Sequence, residues 1–471
     1  MSPRGLIVIT SALSLIGGVA RAADAPSPSN GAPDCASSPE SRSPDPRCGD
    51  ALDGRDAAAP ASAAREAGRA ALFLPREITA GLFWPFVETA DVVESHHVQN
   101  WLVAWLTSDD GRVGVRPIVK YATGFLPTFG LRVFYDRLPG EGSGVSASFE
   151  TVGPSVLIGE IDAVAPRWTG LTFRAIANHR DDRYFAGVGA LSNVDLAADG
   201  WSPARFGSDI FLGEVRWTRL LPAHFQLSLH GDAQERNYWA DGVRGGPSVA
   251  SVFRVSSPMC QATVAPLNSC VDPVIMPGFD DGLRIIHEGA GIVWDYRSHT
   301  RDGSGAALAV DATFAEGVGS DPSRHVTFSA EPVAAIGGTD RQLLLRGRAV
   351  MVEALSEAPI PFDELAMMSG YNGMRGYLDG RFRGQSGLLT TAEYRWYVSH
   401  AIDATLFADF GTVAGRDFQG LGSARWFPSY GFGLRFYGTP GNYWEGALES
   451  GAQVVYAPDN GFRVIVTVAS F

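Results

Sequence analysis

The chain has 471 residues, of which 55 are glycine, 11% are aromatic and only 19% are charged, and its formal net charge is -13. The acidic balance argues against nucleic acid as a partner, because phosphate recognition requires a basic surface. Beyond the N-terminus no apolar run reaches the roughly 20 residues that a membrane-spanning helix needs. A helical membrane protein is therefore excluded, and a secreted soluble domain or a closed barrel remains.

The N-terminal third of the chain contains three predicted segments. Residues 1–22 form a signal peptide, in which Arg4 provides the positive charge, an apolar run follows, and Ala20-Arg21-Ala22 supplies the small-residue cleavage site. Residues 23–75 are rich in Ala, Pro, Ser, Asp and Arg and predict a low-complexity periplasmic segment. Residues 76–107 have helix-compatible apolar spacing and predict an amphipathic helix, either beneath a barrel or as a plug inside it.

Segments with period-two alternation repeat from residue 112 to residue 471. In the segment 430–436, alternate residues are large and apolar, whereas the residues between them are two glycines and Arg435. A charged side chain on the lipid face near the bilayer midplane costs about 2 to 4 kcal/mol, so this sorting is typical of a lipid-facing strand. Such segments begin near residues 112, 128, 144, 155, 168, 208, 224, 284, 305, 323, 341, 387, 402, 429, 446 and 462. We therefore predict an all-β transmembrane fold, a 16-stranded antiparallel outer-membrane β-barrel over residues 112–471.

The lengths of the connections support the barrel. Outer-membrane barrels have short periplasmic turns and longer external loops. Long connections follow the fifth, seventh, eleventh and thirteenth segments, at about 179–207, 237–283, 355–386 and 415–428. Short ones follow the sixth, tenth and twelfth. All the long connections thus fall on odd-to-even positions, a sorting that a soluble sandwich has no reason to show.

The four cysteines form two local pairs. Cys35 lies near Cys48, and Cys260 lies near Cys270, both in stretches rich in Pro and Ser. Cysteines in an exported chain can oxidise. Two loop-closing disulfides are favoured over metal binding, because no histidine lies near either pair.

One loop and its neighbouring strands carry a distinctive set of motifs. The loop 369–384 contains Arg375-Gly376-Tyr377, the next strand has Glu-x-Arg at Glu393, and the strand after it reads Phe407-Ala-Asp409-Phe-Gly411. The chain ends in Phe471, a terminal aromatic residue of the kind that forms the C-terminal signal of outer-membrane barrels. In this order the motifs resemble the bacterial surface antigen family, the outer-membrane assembly-factor barrels that include BamA and TamA. The resemblance covers the C-terminal half of the barrel best.

The resemblance implies that this loop folds back into the lumen, where Arg375 meets Asp409. Strand parity agrees, because Asp409 shares a face with Phe407 and Gly411 and so points inward. Glu393 is a second candidate partner for Arg375. The pair either anchors the loop structurally or takes part in gating.

The resemblance also implies a function in the outer membrane of a Gram-negative bacterium. The expected role is to assist the insertion or export of outer-membrane or secreted proteins, without a cofactor. The expected partners are outer-membrane lipid, the barrel-assembly machinery that inserts the chain, and a periplasmic accessory protein. The segment before the barrel does not match the periplasmic POTRA modules of the family's assembly members, so a channel or structural barrel without insertase activity is the alternative.

An enzyme is the least favoured class. The sequence has no Gly-x-Ser-x-Gly, no His-Glu-x-x-His and no Cys/His spacing typical of zinc sites. Inward Asp and Arg residues are expected of any wet lumen and do not indicate a catalytic pair. We therefore predict no enzymatic activity and no metal site.

Overall fold

A computed structural model describes residues 106–108, 110–138, 140, 142–166, 168–191, 193–198, 202–241, 246–261, 267–297, 304–319, 322–338, 341–399, 402–436 and 450–468. The predicted signal peptide, the low-complexity segment and nearly all of the predicted helix 76–107 lie outside these residues. So do Cys35, Cys48 and Phe471. What was predicted for them stays a prediction.

In the described part of the chain, sixteen antiparallel strands form a closed barrel, in which each strand pairs with the next and β1 pairs with β18. These strands are β1 (Val113–Ala122), β2 (Thr128–Asp136), β3 (Gly144–Thr151), β4 (Val156–Val164), β5 (Leu171–Phe185), β6 (Ala204–Leu221), β7 (Phe225–Trp239), β8 (Leu283–Asp295), β9 (Gly305–Gly317), β10 (Arg324–Gly338), β11 (Arg341–Ala354), β14 (Ser386–Ser399), β15 (Ile402–Ala414), β16 (Phe427–Phe436), β17 (Ser450–Ala457) and β18 (Gly461–Val468). The two remaining strands, β12 (Ala366–Met367) and β13 (Arg383–Gly384), pair with each other inside the connection from β11 to β14. The predicted 16-stranded antiparallel barrel is confirmed.

Short helical turns lie in the loops. They are α1 (Asn193–Ala198), α2 (Val249–Val252), α3 (Pro258–Gln261) and two 3-10 turns (Asn268–Cys270 and Arg416–Phe418). None of the helices among the described residues has the length and apolarity needed to cross a membrane.

Strand positions follow the period-two pattern closely. The largest differences from the predicted starts are four residues, at β6, which begins at Ala204 rather than 208, and at β17, which begins at Ser450 rather than 446. On β5 the ladder continues beyond a bulge and pairs Phe185 with Ala204. Phe185 and Ala204 are fully buried beneath the loops. Because a strand covered on both faces loses its apolar-polar alternation, this extension could not be read from the period.

The lipid face and the lumen are sorted as a membrane barrel requires. On β2, Phe129, Leu131 and Val133 are 53%, 56% and 49% exposed on the outside of the barrel. Between them Arg132 points inward and forms an ion pair with Asp162 of β4. These charges are therefore paired inside the barrel, where they avoid the cost of contact with lipid.

Four long loops lie at one end of the barrel and connect β5 to β6, β7 to β8, β11 to β14 and β15 to β16. The prediction that every long connection falls on an odd-to-even position is wrong at one place, because the connection from β16 to β17, residues 437–449, is as long as the one from β15 to β16 and follows an even-numbered strand of the wall. Cys260 and Cys270 form a disulfide in the loop between β7 and β8, with their Cα atoms 5.5 Å apart. Phe362, from the loop between β11 and β14, is fully buried against an aromatic cluster of the strand ends and the β7–β8 loop, with Phe279 as one member. The loops thus pack on one another and cover this end of the barrel.

Candidate functional site

The connection from β11 to β14, residues 355–385, lies inside the barrel and is called the inner loop here. Its β12–β13 ladder turns the chain back on itself, and Gly370 and Gly380, with φ of +97° and +89°, take backbone conformations that side chains disfavour. Its apolar side chains form a buried cluster with inward residues of β11, β14, β15, β16 and β17. The cluster contains Ile360, Ala366, Met368, Met374, Tyr377 and Phe382 from the loop and Val350, Val352, Leu389, Val413, Phe427 and Ala457 from the wall. The loop is therefore packed as a hydrophobic core is packed.

The tip of the inner loop, residues 375–377, is in close contact with the barrel wall. A Cβ atom on Gly376 would lie 2.5 Å from the Cβ atom of Ser429 and 2.8 Å from that of Ala457. The carbonyl oxygen of Gly376 accepts a 2.8 Å hydrogen bond from the side-chain amide of Asn460. The hydroxyl of Tyr377 donates to the main-chain oxygen of Pro428 at 3.2 Å. Position 376 therefore requires a glycine, because the wall leaves no room there for a side chain.

Arg375 forms a bidentate ion pair with Asp409 of β15. Its Nη2 atom lies 2.8 Å from Asp409 Oδ1, and its Nε atom donates to Asp409 Oδ2 at 3.0 Å. The main-chain N–H of Arg375 donates to the same Oδ2 at 3.1 Å. Asp409, which is 1% exposed, also accepts hydrogen bonds from the hydroxyls of Thr391 and Ser429. Both oxygens of this carboxylate therefore accept hydrogen bonds from the loop tip and from the neighbouring wall residues.

Glu393 of β14 is the second carboxylate at the tip. Arg375 Nη1 donates to Glu393 Oε2 at 2.9 Å, and Glu393 Oε1 accepts from Arg395 at 2.6 Å and from Arg435 at 3.1 Å. Burial alone would lower the pKa of Arg375, but the charges of Asp409 and Glu393 outweigh it and hold that pKa above its ordinary value. Arg375 therefore stays charged and carries its charge in a site where both carboxylates are satisfied.

An aromatic ring completes the environment of Arg375. The guanidinium carbon lies 3.3 Å from the ring centroid of Phe407, two residues before Asp409 on the same inward face of β15. Gly411 follows on that face, and a Cβ atom there would lie 2.9 Å from the main-chain oxygen of Leu388. The residues that the sequence motifs singled out in the loop and on β14 and β15 are thus brought together at one place.

Arg463 of β18 was not singled out by sequence, yet it holds the same loop tip. Its Nη1 atom donates to the main-chain oxygen of Arg375 at 2.9 Å and also to that of Tyr377. Its Nη2 atom lies 3.4 Å from the main-chain oxygen of Thr123, just after β1. Parity places Arg463 inward, but its partners are main-chain atoms, which leave no mark in the sequence.

The ladder between β1 and β18 closes the barrel beside this tip. It pairs Val119–Ala122 with Ile465–Val468, whereas β6 and β7 pair over Gly207–Leu221 and Phe225–Trp239. Among the described residues it is the shortest ladder in the barrel. The junction of β1 and β18 is called the seam below.

A second set of charged side chains holds the descending part of the inner loop, which is the part between β11 and the loop tip. Arg236 of β7 places its Nη1 atom 3.2 Å from Asp363 Oδ2 and 2.8 Å from Glu364 Oε1. Asp363 Oδ1 lies 2.9 Å from Nη1 of Arg383, which follows the loop tip and belongs to β13. His287 Nε2, on β8, lies 3.1 Å from Oε2 of Glu364. No spacing in the sequence indicates this set, because its members come from separate elements of the chain.

Residues 289–441 match the Omp85 superfamily domain. No curated protein matches the chain by sequence. The structure of BamA from Haemophilus ducreyi lacking POTRA domains 1-3 is similar, with a TM-score of 0.50 and 11% identity over 76% of this chain and 70% of that chain. CdiB from Acinetobacter baumannii is similar over 76% of this chain with 12% identity and a TM-score of 0.44, and CdiB from Escherichia coli over 75% with 12% identity and a TM-score of 0.45. This chain spans 60% and 62% of those two CdiB chains, less than two thirds of their length.

At 11% identity the likeness to BamA shows the fold. The superfamily match covers the inner loop and the strands β14 and β15 that hold it. Together they confirm the resemblance to BamA/TamA-like barrels and the location in the outer membrane of a Gram-negative bacterium.

Proposed function

We propose that this chain, a BamA/TamA-like outer-membrane barrel with an Omp85 superfamily domain in residues 289–441, assists the insertion or export of outer-membrane or secreted proteins. The observation that carries the proposal is the short seam, whose strand β18 is tied to the inner loop through Arg463. Protein transport or assembly, rather than catalysis, is the activity that this arrangement suits.

The seam is the place where the barrel opens most easily. Local opening costs least where few main-chain hydrogen bonds and few buried contacts are lost. The ladder at Val119–Ala122 is shorter than every other ladder of the barrel wall among the described strands. Once open, β1 and β18 present unpaired main-chain groups, which can pair with a strand of a client protein.

The inner loop is positioned to control that opening. Arg463 joins the loop tip to β18, and its contact with the oxygen of Thr123 reaches the end of β1. The tip itself is also held by Asp409 of β15, three strands along the wall from β18. A loop in this place stabilises the closed seam, and its release favours the open one.

Three partners follow from this function. Lipid surrounds the exposed apolar face of the barrel, the resident barrel-assembly machinery inserts the chain, and a periplasmic accessory protein delivers the client. The superfamily acts in assembly and secretion together with other proteins, which supports protein partners in general.

A seam lock tests the proposal. Tyr121 and Val466 are paired across the seam on its outer face, so Tyr121→Cys with Val466→Cys gives a disulfide that closes it. Mature protein in liposomes is offered an unfolded eight-stranded outer-membrane barrel as the probe, and the rate of probe folding is measured before and after reduction. We expect the lock to slow folding and reductant to restore the rate of the unlocked protein.

A matched lock away from the seam is the control. Leu131 and Phe149 are paired on the outer face of β2 and β3 in the same way, and Leu131→Cys with Phe149→Cys should leave the rate unchanged. Equal rates for the open and locked seam would overturn the proposal. Equal slowing by both locks would show that rigidity anywhere in the wall matters, and would overturn the role of the seam.

A passive channel is the second candidate, and the lining of the lumen favours it. The charged residues that line one cavity beside the loop tip are mostly basic: Arg346, Arg348, Arg375, Arg395 and Arg435, with Glu331 and Glu393. A basic lining suits the passage of small anions. Planar-bilayer currents separate the two functions: flickering currents that the seam lock quiets support the movable seam, whereas a steady pore indifferent to the lock supports the channel.

A further inference from the structure

Two histidines and one glutamate converge between the inner loop and the barrel wall. His287 Nε2 of β8 lies 3.1 Å from Glu364 Oε2, and His325 Nε2 of β10 lies 3.2 Å from the same oxygen. The ligand atoms of all three residues lie within 4.8 Å of one another. Both histidines are buried, and His325 is fully so. The three side chains thus converge on one small, buried volume.

We propose that His287, His325 and Glu364 bind one divalent transition metal ion, with Zn²⁺ the best fit. Two nitrogens and one carboxylate oxygen are a ligand set that Zn²⁺ accepts, and the fourth position takes a water molecule. Ligand atoms about 2.0 to 2.1 Å from a tetrahedral Zn²⁺ stand roughly 3.3 Å apart. The two nitrogen-to-oxygen distances, 3.1 and 3.2 Å, are close to that spacing, and the ligand nitrogens of the two histidines lie within 4.8 Å of each other. Mg²⁺ and Ca²⁺ suit the site poorly, because they prefer oxygen ligands.

Neighbouring residues already orient the ligands. His287 Nδ1 lies 2.8 Å from Asp232 Oδ1, an arrangement that puts the proton on Nδ1 and leaves Nε2 to face the metal. Arg236 Nη1 lies 2.8 Å from Glu364 Oε1, so the other oxygen of that carboxylate is the one directed at the site. Carboxylate support for a ligating histidine and a hydrogen-bonded ligating carboxylate are what metal sites use to fix their ligands.

The same geometry constrains what happens without a metal. Both histidines then need a proton on Nε2 to hydrogen-bond with Glu364, and His287 needs another on Nδ1 for Asp232. A divalent ion replaces the two Nε2 protons and joins the three side chains directly. The consequence is mechanical: the metal would clip the descending part of the inner loop to β8 and β10, at a place separate from the Asp409 contact on β15.

Metal titration of the mature protein in detergent tests the site. Zn²⁺ binding is measured by calorimetry, and Co²⁺ is used as a second probe because its visible absorption reports four-coordination. We expect one Zn²⁺ per chain and a Co²⁺ spectrum of tetrahedral type. His325→Gln and Glu364→Gln should each lose binding by tenfold or more, and Asp232→Asn, which removes only a positioning residue, should weaken it by about 10 to 100-fold.

His230→Gln is the matched control, because His230 is a lumenal histidine of β7 whose neighbours are Asp311 and Thr313. It should bind Zn²⁺ as the native chain does. Each variant is first shown to be folded by its heat-modifiable migration in electrophoresis. Equal Zn²⁺ affinity in the native chain and the His325→Gln variant would overturn the site, as would a Co²⁺ spectrum of octahedral type in the native chain. A further readout is trypsin cleavage of the inner loop, which Zn²⁺ should slow and a chelator should restore.

Discussion

The guanidinium of Arg463 on β18 donates a 2.9 Å hydrogen bond to the main-chain oxygen of Arg375 at the tip of the inner loop. Arg375 in turn holds Asp409 of β15 by a bidentate ion pair. The loop tip therefore connects the seam with β15, three strands along the wall from β18. Any displacement of the tip breaks contacts with both strands. Weakening the contacts of Arg375 should therefore change how easily the seam opens.

Removing Asp409 should release the loop tip. Asp409→Ala leaves the Arg375 guanidinium with Glu393 alone, and breaking a buried pair in this way costs up to about 3 to 5 kcal/mol, less where water enters the lumen. We expect faster trypsin cleavage of the inner loop and a lower midpoint of heat unfolding, followed by electrophoretic mobility.

Glu316→Gln is the control for this change. Glu316 pairs with Arg324 at the surface, where both side chains are largely exposed, and such pairs contribute about 0 to 1 kcal/mol. Its midpoint should stay close to that of the native chain. If Asp409→Ala left trypsin cleavage and the midpoint equally unchanged, the pairing with Arg375 would have no role in holding the loop.

The Phe407 ring should stabilise the buried charge of Arg375 and so contribute to the free energy of unfolding. Phe407→Leu keeps an apolar side chain but removes the aromatic face, whose attraction for a buried cation is worth about 0.5 to 2 kcal/mol. A double-mutant cycle with Arg375→Met, which removes the cation, isolates that interaction as the non-additive part of the loss in unfolding free energy. Phe410→Leu, on the lipid face of the same strand, should add to Arg375→Met without coupling.

Gly376 should tolerate no side chain. Gly376→Val brings a Cβ atom to within 2.5 Å of Ser429 Cβ, so the tip must move or the wall must shift. Overpacking of this kind costs about 1 to 3 kcal/mol. Increased trypsin cleavage at the inner loop is the expected result, whereas Gly422→Val, at a glycine with no neighbouring atom within 4 Å of its Cβ position, should behave as the native chain does. Equal cleavage of the two variants would contradict the close approach.

The strands and the inward side of the Arg375 site were readable from the sequence for a simple physical reason. Lipid on one face and a polar lumen on the other impose a period of two, which fixes the direction of Asp409 and Glu393 as well as the strand count. The period ends where the environment is the same on both faces. Phe185 and Ala204, buried beneath the loops, therefore belong to strand extensions that the pattern did not reveal.

The second anchor of the inner loop shows a different limit. His287 and His325 lie on strands whose parity points them inward, and Asp363-Glu364 is an acidic pair between apolar neighbours. Each feature is visible alone, but their meeting depends on how deeply the loop enters the barrel. Loop depth is set by packing of side chains such as Phe362 and Phe382, and packing has no periodic signature.

Weakening the tie between the loop and β18 should make the seam more mobile. Arg463→Gln shortens the side chain and removes the two guanidinium nitrogens that reach the oxygens of Arg375, Tyr377 and Thr123. In planar bilayers we expect more frequent brief openings than in the native chain. The seam lock at Tyr121 and Val466 should suppress them in the same variant.

The matched change is Arg216→Gln, which removes a lumenal arginine of β6 paired with Glu214, away from both the loop tip and the seam. It alters the charge of the lumen as Arg463→Gln does, so a difference between the two variants reports the contact with the loop rather than the charge. Equal opening frequencies in the two variants would mean that the tie does not restrain the seam. Openings in Arg463→Gln that persist when the seam is locked would mean that ions pass through the lumen beside a displaced loop, and the inner loop would then act as a plug.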